Sequence, residues 1–457
     1  MDWLPTLSEW QGPAFTRIVE AMSADIANGR LVRGQKLPTH RALAKALSLD
    51  LTTVTRAYGK ARRRGLIDAQ VGRGTFVSET TARQGVAKLV TRIDLSMNIP
   101  PQPVEANLDV RIAQGLKAIQ VEHGFSALLN YQLPGGGSTD VAVATKWLRR
   151  RTPHADASRL VIYPGNQAIL FNALLTLTTP GDTIVTEALT FPGMKSAAAE
   201  LGLRLVPVAM DREGVLPDEL AKACKQHKPK AVYLTPTQHN PTAATQGPKR
   251  RAAAAEVIRR YNTVLIEDDA YGALEPAYAP IAALIPDRTY LAVGLAKCIA
   301  PALRVSYLLA PSEAAAERLK RSLQATMLMP PPLMVALATR WIQSGVADKI
   351  ITAIRGEARG RQAMTAKILK GIGYQSQPNA HHIWIPMPAH WPRSDFVAYC
   401  IQHGLAVVGD EAFAVGDKAP AGVRVSLGAA RNREELAQAL QFLAQTLTST
   451  RQSLPLV

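Results

Sequence analysis

Apolar residues near the N-terminus recur at helical spacing and predict three short helices followed by a hairpin. The apolar face of the first predicted helix consists of Phe15, Ile18, Val19, Met22 and Ile26. The second, capped by Thr39, has as its apolar face Leu43, Ala44 and Leu47. In the third helix, the residues predicted to face inward are Val54, Ala57, Tyr58 and Ala61. Those predicted to face outward are Thr52, Thr53, Arg56 and Lys60. With two short strand patterns around residues 72–74, these elements predict a winged helix-turn-helix.

Further along, the pattern changes to short apolar runs that alternate with helical segments. From Leu160 to Pro311 the runs are four to six residues long, and helices such as 217–226 and 248–260 separate them. This alternation is typical of a mostly parallel, doubly wound α/β sheet, which binds ligands at the carboxyl ends of its strands. A helix is predicted from Ala106 to Val121. A long helical stretch, Val335 to Leu369, leads into a smaller C-terminal α/β domain.

Length and charge add a second constraint. The chain has 457 residues, enough for two or three domains with substantial cores. Its net charge of +17 favours a polyanionic partner, but the excess is +5 in residues 1–80 and +12 in the remainder, so charge alone locates no nucleic-acid surface.

Three scattered cysteines, no basic leader and no apolar stretch long enough to span a bilayer predict a cytoplasmic protein without a membrane partner. No metal site is expected, because His381 and His382 are adjacent in a strand pattern and point to opposite faces.

The outward face of the third helix is short, polar and basic, as a helix entering the DNA major groove requires. Glycines at the hairpin tip would let its backbone approach phosphates closely. A structural bundle with a solvated charged face is the alternative. However, the motifs 37–44, 53–58 and 72–77 resemble the GntR-type DNA-binding domain over most of residues 13–78. The resemblance implies DNA contacts by Arg41, Thr53, Arg56 and Gly74, and the helix face and hairpin tip add Thr52, Lys60 and Arg73.

Lys297 stands between two apolar strand patterns, residues 290–293 and 305–309. A free ammonium is costly in an apolar core, so this lysine must reach solvent, pair with an anion or form an imine. An amine in a partly desolvated pocket can condense with a carbonyl, and Arg304, seven residues on, offers a phosphate clamp. These features suggest a lysine that holds pyridoxal phosphate as a Schiff base. A surface lysine at a strand end is the alternative.

Three upstream stretches, each after a strand pattern, carry polar groups suited to the same cofactor. Asp268 can keep a pyridinium nitrogen protonated, and Tyr271 can reach the ring hydroxyl. Asn240 is a neutral donor for the ring oxygen, and the turn 165–167 before an apolar helix offers free amides to a phosphate. Taken singly, the Asp-Asp pair at 268–269 could be a turn or helix cap, and the Asn-Pro step a plain turn.

In order and spacing these motifs resemble the fold-type-I aminotransferases, which bind pyridoxal phosphate, from about Ile93 to the C-terminus. The resemblance makes Lys297 the Schiff-base lysine and Asp268 the partner of the ring nitrogen. It assigns the ring oxygen to Tyr271 and Asn240, the phosphate to Asn166, Gln167 and Arg304, ring stacking to Phe191, and an amino-acid carboxylate to Arg424. Tyr131 matches an aromatic that such dimers often offer to the neighbouring subunit's cofactor, although a core tyrosine fits equally well.

The chain departs from both families at a few positions. GntR domains often have Ser-Arg where this chain has Asp50-Leu51, so its operator is expected to differ from the usual one. Gly294 and Ala296 replace serines that often contact the phosphate. Phe191 keeps an aromatic face but lacks the phenol of the usual tyrosine. These changes are expected to tune cofactor binding without abolishing it.

Together, the predicted parts are a DNA-binding domain (13–78), a linker (79–92) and an aminotransferase-like domain (93–457) with a small subdomain from about 335. This arrangement resembles the MocR-type regulators over nearly the whole chain. The resemblance implies a homodimeric transcription regulator that binds a double-stranded DNA operator and senses an amine or amino acid through pyridoxal phosphate. The alternative is an active aminotransferase whose fused domain is secondary.

Overall fold

The computed structural model describes residues 3–8, 10, 12–32, 34–63, 66–70, 74–77, 92–417 and 419–449. The chain divides into two compact units, residues 1–85 and 86–457. All but the last residue of the predicted linker lies outside the described residues, so the predicted domain boundaries stay predictions.

The N-terminal unit contains helices α1 (Ala14–Ala27), α2 (His40–Leu47) and α3 (Leu51–Arg63), and the antiparallel strands β1 (Ile67–Gln70) and β2 (Gly74–Val77). Thr39 caps α2 by accepting a hydrogen bond from the backbone of Ala42 at 3.2 Å. The core draws on all three helices and both strands, and includes Ile18, Met22, Leu43, Val54, Ala57, Ile67 and Val77. The predicted winged helix-turn-helix is confirmed. Arg73, at the predicted hairpin tip, lies outside the described residues.

The C-terminal unit alternates strands and helices. Its strands are β3 (Ile93–Asp94), β4 (Leu160–Tyr163), β5 (Thr183–Glu187), β6 (Arg204–Val208), β7 (Met210–Asp211), β8 (Gly214–Val215), β9 (Ala231–Leu234), β10 (Val264–Asp268), β11 (Thr289–Gly294), β12 (Ser306–Leu309), β13 (His382–Pro386), β14 (Leu405–Ala406), β15 (Val408–Gly409) and β16 (Gly422–Ser426). Its helices are α4 (Leu108–His123), α5 (Ser138–Leu148), α6 (Asn166–Leu177), α7 (Pro192–Glu200), α8 (Pro217–His227), α9 (Pro248–Arg260), α10 (Glu313–Met327), α11 (Pro332–Gln343), α12 (Val346–Ile368), α13 (Arg393–Gln402) and α14 (Arg433–Thr448).

Seven of these strands form the central sheet, in the order β4-β12-β11-β10-β9-β5-β6, and all run parallel except β12. Both faces of the sheet are covered. Leu291 and Val293 of β11 pack with α5, α11 and α12, whereas Tyr290 and Ala292 pack with α6, α7 and α10 on the other face. The predicted doubly wound sheet is confirmed, and the loops after its parallel strands meet at one edge.

A second core lies in the C-terminal part of this unit. Strands β13, β16 and β15 form a small antiparallel sheet, and β14 pairs with β3. Residues Ile93 and Leu95 therefore share this core with α13 and α14. The helical stretch predicted over 335–369 consists of two helices, α11 and α12, because Gly345 takes a left-handed φ of 73° and separates them. None of the described helices is long and apolar enough to cross a lipid bilayer.

Candidate functional site

The Lys297 side chain follows the carboxyl end of β11 and points into the interior of the C-terminal unit. Its ammonium donates a hydrogen bond to the backbone carbonyl of Asn98. Burial, helped by the positive charge of Arg424, lowers the pKa of Lys297 to about 8, while Asp268 opposes the shift. At pH 7 about a tenth of this amine is therefore neutral, far more than for an ordinary lysine, and the neutral form is the one that attacks a carbonyl. A freely solvated lysine at a strand end, the alternative considered from sequence, is excluded.

Asp268 is the last residue of β10 and has a neutral donor on each carboxylate oxygen. The Asn166 side-chain amide donates to Oδ1 at 2.7 Å, and the Tyr233 hydroxyl donates to Oδ2 at 2.9 Å. Burial raises the pKa of Asp268, and these two hydrogen bonds act against that shift. The carboxylate is thus held in a fixed orientation at the edge of the sheet where a ligand is expected.

The start of α6 forms a small polar cradle with Arg304. Gly165 has φ of 105°, and a Cβ there would lie only 2.7 Å from Nη2 of Arg304, so the guanidinium closely approaches the first turn of the helix. A Cβ on Gly294 would lie 2.3 Å from Oδ1 of Asn166 and 3.0 Å from Oγ of Ser306. Free helical amides beside an arginine are suited to a phosphate.

Ser306 supplies a hydroxyl close to Gly294, the position where the family often has a serine. It lies directly opposite Gly294 in the antiparallel β11–β12 pair. Its Oγ and the Oδ1 of Asn166 are buried and have no hydrogen-bond partner among the described residues. Such groups are costly unless a ligand or water satisfies them. A hydroxyl is therefore present beside the cradle, although it comes from the neighbouring strand.

The predicted ring-oxygen and carboxylate residues also converge. The Tyr271 hydroxyl accepts a hydrogen bond from the Asn98 side chain at 2.9 Å. Arg424 donates from Nη1 to Oδ1 of Asn240 at 2.7 Å and from Nη2 to the backbone carbonyl of Ser96. Burial lowers the pKa of Arg424 to about 10, and its Nε is buried without a partner among the described residues. A buried arginine with one nitrogen that no described residue satisfies favours the binding of a carboxylate.

Asp269 has a different role from its neighbour. Its side chain is fully buried and accepts from Nε and Nη2 of Arg151, with Nη2–Oδ2 at 2.8 Å, and from the Thr237 hydroxyl at 3.1 Å. Arg151 also donates to the backbone carbonyl of Tyr278 at 2.9 Å. Asp269 is therefore half of a buried ion pair that anchors the strand end bearing Asp268.

Several residues that the sequence reasoning missed line the same region. Asn98 contacts Lys297, Tyr271 and Nδ1 of His382, the last at 2.9 Å. His381 lies 2.7 Å from the backbone carbonyl of Lys297 and, like His239, has a pKa lowered by burial to about 4. The adjacent histidines were a detectable signal, whereas no sequence pattern points to Asn98. Across the described ranges, no group of three or more His, Cys, Asp or Glu side chains could hold a metal.

Phe191 and Tyr131 occupy different environments. Phe191 precedes α7, partly buried, next to Gln167, whose side chain donates to the backbone carbonyl of Gly193 at 3.0 Å. Tyr131 is 82% exposed, so the alternative of a core tyrosine is wrong.

In the N-terminal unit, the predicted DNA residues do not all lie on one surface. Arg41 and Thr52 are exposed, and the Thr52 hydroxyl donates to Asp50 at 2.6 Å. The Arg56 guanidinium lies 4.1 Å from the centre of the Phe15 ring, and Nζ of Lys60 lies 5.2 Å from it. Thr53 is half-buried, and Gly74 is exposed at the start of β2 with φ of 117°. Arg56 and Lys60 therefore lie towards α1.

The sheet and its edge define the class of protein. A lysine after β11, a carboxylate ending β10 and the Arg304 guanidinium against the first turn of α6 form the arrangement of a fold-type-I aminotransferase. The chain belongs to the aminotransferase class I and II family, whose model matches residues 91–443. Residues 15–77 match the gntR family of bacterial regulatory proteins.

Two curated relatives extend over nearly the whole chain. One is the HTH-type transcriptional regulator YdeF of Bacillus subtilis (strain 168), 28% identical over 98% of this chain and 97% of its own length. Another is the vitamin B6 salvage pathway transcriptional repressor PtsJ of Salmonella typhimurium (strain LT2), 26% identical over 93% of this chain and 96% of its own length. Similarity at this coverage includes both units.

Two solved aminotransferase structures have a similar fold over about four fifths of this chain. The kynurenine aminotransferase of Pyrococcus horikoshii has a TM-score of 0.72 at 23% identity, covering 78% of this chain and 90% of its own. The α-aminoadipate aminotransferase LysN of Thermus thermophilus has a TM-score of 0.71 at 21% identity, covering 80% and 94%. These similarities establish the fold of the aminotransferase-like unit.

Proposed function

We propose that this chain is a transcription regulator that binds operator DNA through residues 13–78 and detects an amine or amino acid through residues 93–457. The observation that carries the proposal is a gntR-family domain in the same chain as an aminotransferase class I and II domain. The full-length similarity to proteins named as transcriptional regulators supports it. All three cysteines are buried and unpaired, which suits a reducing cytoplasm.

The cofactor in this proposal is pyridoxal 5'-phosphate, which supplies an electron-withdrawing ring when bound. The residues proposed to hold it are Lys297, Asp268, Tyr271, Asn240, Asn166, Gln167, Phe191 and Arg304. The fit rests on the neutral donors that orient Asp268. It also rests on the buried oxygens of Asn166 and Ser306 near Arg304, which have no hydrogen-bond partner in the part of the chain that the structure describes. Lys297 provides an amine whose lowered pKa favours covalent attachment of an aldehyde.

Effector recognition is proposed for Arg424, with Tyr131 of a second subunit completing the pocket. Arg424 is buried and charged, and its Nε has no partner among the described residues, so an incoming carboxylate would satisfy it. A homodimer is supported by large apolar side chains that are over 60% exposed in the aminotransferase-like unit, including Met97, Val104, Leu129, Tyr131 and Leu133. Light scattering of the purified protein tests this assembly.

Gel shifts with full-length protein test the regulator function. A duplex selected from a randomised pool should bind with an affinity that falls steeply with salt, because phosphate contacts release counterions. Adding pyridoxal phosphate and a panel of amino acids should change that affinity for at least one amino acid. Binding that is independent of sequence at every salt concentration would contradict the proposal.

An active aminotransferase is the second candidate, and one observation favours it. Lys297, Asp268, Arg304 and Arg424, the residues proposed for transamination, all lie in the C-terminal unit, and the charges of Asp268 and Arg424 are close enough to affect the pKa of Lys297. Mixing the cofactor-loaded protein with amino acids and 2-oxo acids separates the two functions. A spectral change without repeated turnover supports sensing, whereas steady production of a new amino acid supports the enzyme.

A further inference from the structure

One side of α3 lies beside the start of α2 and the strands of the hairpin. Leu51, Thr55, Gly59 and Arg62 are spaced i, i+4, i+8 and i+11 and so share a face of the helix. Three of them line a groove of about 270 Å³ together with the first residue of α2 and Thr75 of β2. The side of α3 that carries Arg56 and Lys60 lies instead against Phe15. The face of α3 that begins with Leu51 is therefore the one that lies next to the hairpin.

Leu51 begins this face and is 41% exposed. An exposed leucine is ordinary by itself, but the polar groups around this one are already committed. Asp50 accepts from the backbone amide of Thr52 at 2.7 Å and from its hydroxyl at 2.6 Å. The hydrogen-bond donors of Thr52 are thus used within the turn. The N-terminus of α3 therefore offers an apolar side chain, and not a polar donor, to whatever it contacts.

We infer that Leu51 contacts the C5-methyl group of a thymine and gives the operator a preference for T·A at one position of each half-site. This inference rests on the proposed operator binding. In the major groove thymine alone presents a methyl group, and an apolar side chain is its complement. Leucine can neither donate to guanine nor accept from cytosine, so the other bases gain nothing from it. Leu51 is then a specificity-determining residue.

Deoxyuridine differs from thymidine by this methyl group alone and therefore isolates the contact. Full-length protein first selects a duplex from a randomised pool, and each thymine of that duplex is then replaced singly by uracil. Burial of one methyl group predicts about a fourfold loss of affinity at one thymine per half-site. Leu51→Ala should bind the thymine and uracil duplexes equally. Leu51→Arg should select guanine at that position.

Leu284→Ala is the matched control, because Leu284 is 43% exposed but lies in the other unit. The Leu284→Ala protein should lose as much affinity as the wild type when uracil replaces the contacted thymine. Circular dichroism and thermal unfolding of Leu51→Ala check that the helix is preserved, as expected for alanine at an exposed helical position.

Two results overturn the inference while leaving operator binding intact. One is an affinity that no uracil replacement changes. The other is a Leu51→Ala protein that loses as much affinity as the wild type when uracil replaces thymine. If no duplex is enriched from the pool even at low salt, the operator-binding proposal fails and this inference fails with it.

Discussion

Replacing Lys297 by methionine should stabilise the cofactor-free protein at neutral pH. Burial and the neighbouring Arg424 lower the pKa of Lys297 to about 8, below the usual value of 10.5. Between these two values the unfolded chain binds a proton that the folded chain does not. The resulting destabilisation is fully present below pH 8 and disappears as pH rises towards 10.5.

The size of the effect follows from the same pKa values. The difference between 10.5 and about 8 corresponds to about 3 kcal/mol of destabilisation at pH 7. Methionine also removes the hydrogen bond to the Asn98 carbonyl, which costs about 1 kcal/mol. Lys297→Met should therefore raise the free energy of unfolding by about 2 kcal/mol at pH 7. Above pH 10 the gain should vanish, and the lost hydrogen bond should leave the variant slightly less stable.

Denaturant unfolding of the cofactor-free protein at pH 7 and at pH 10 measures both values. Lys117→Met provides the control, because Lys117 is exposed on α4, and it should change the stability little at either pH. A Lys297→Met protein no more stable than the wild type at pH 7 would refute the reasoning. So would a gain of equal size at both pH values, since that would reflect better packing and not the removal of a buried charge.

Three further changes probe the same unit. After unbound pyridoxal phosphate is removed, Lys297→Ala should abolish both the visible absorbance that the cofactor gives the purified protein and its retention after borohydride reduction. Arg424→Gln should keep that absorbance but weaken the spectral response to amino acids by roughly tenfold or more, about the contribution of one charge-assisted contact. Arg151→Met should lower the free energy of unfolding by about 3–5 kcal/mol, because it leaves Asp269 buried without its cation. The double variant Arg151→Met, Asp269→Leu should recover much of that loss in thermal unfolding.

The positions of Lys297 and Asp268 could be predicted because strand periodicity and parallel topology together place them. Apolar runs identify β10 and β11, and parallel strands bring their carboxyl ends to one edge of the sheet. Tyr233 and Asn98 could not be found in this way. Tyr233 occurs within an apolar run that reads as core, and Asn98 is 199 residues from Lys297 along the chain. Only the three-dimensional packing shows that both contact the site.

The DNA-binding face illustrates a second limit of sequence patterns. Helical periodicity separates residues that face the core of the unit from those that do not. It does not distinguish an exposed side chain that faces open solvent from one that rests on a neighbouring helix. Arg56 and Lys60 were therefore predicted to point outward, whereas the Phe15 ring of α1 lies beneath them. In the sequence, Leu51 stands out only as a departure from the family pattern.

The regulator and the enzyme differ in one thermodynamic quantity, the coupling between DNA and effector binding. An effector changes operator affinity only if it binds two conformations of the protein unequally. By linkage, operator DNA must then change effector affinity by the same factor, typically about 5–150-fold in coupled systems. An aminotransferase with an independent DNA-binding domain has a factor of one in both directions. Titrating the amino-acid spectral response with and without operator duplex measures this factor from the effector side, and gel shifts measure it from the DNA side. Agreement of the two values, both different from one, would establish that the units act as one regulator.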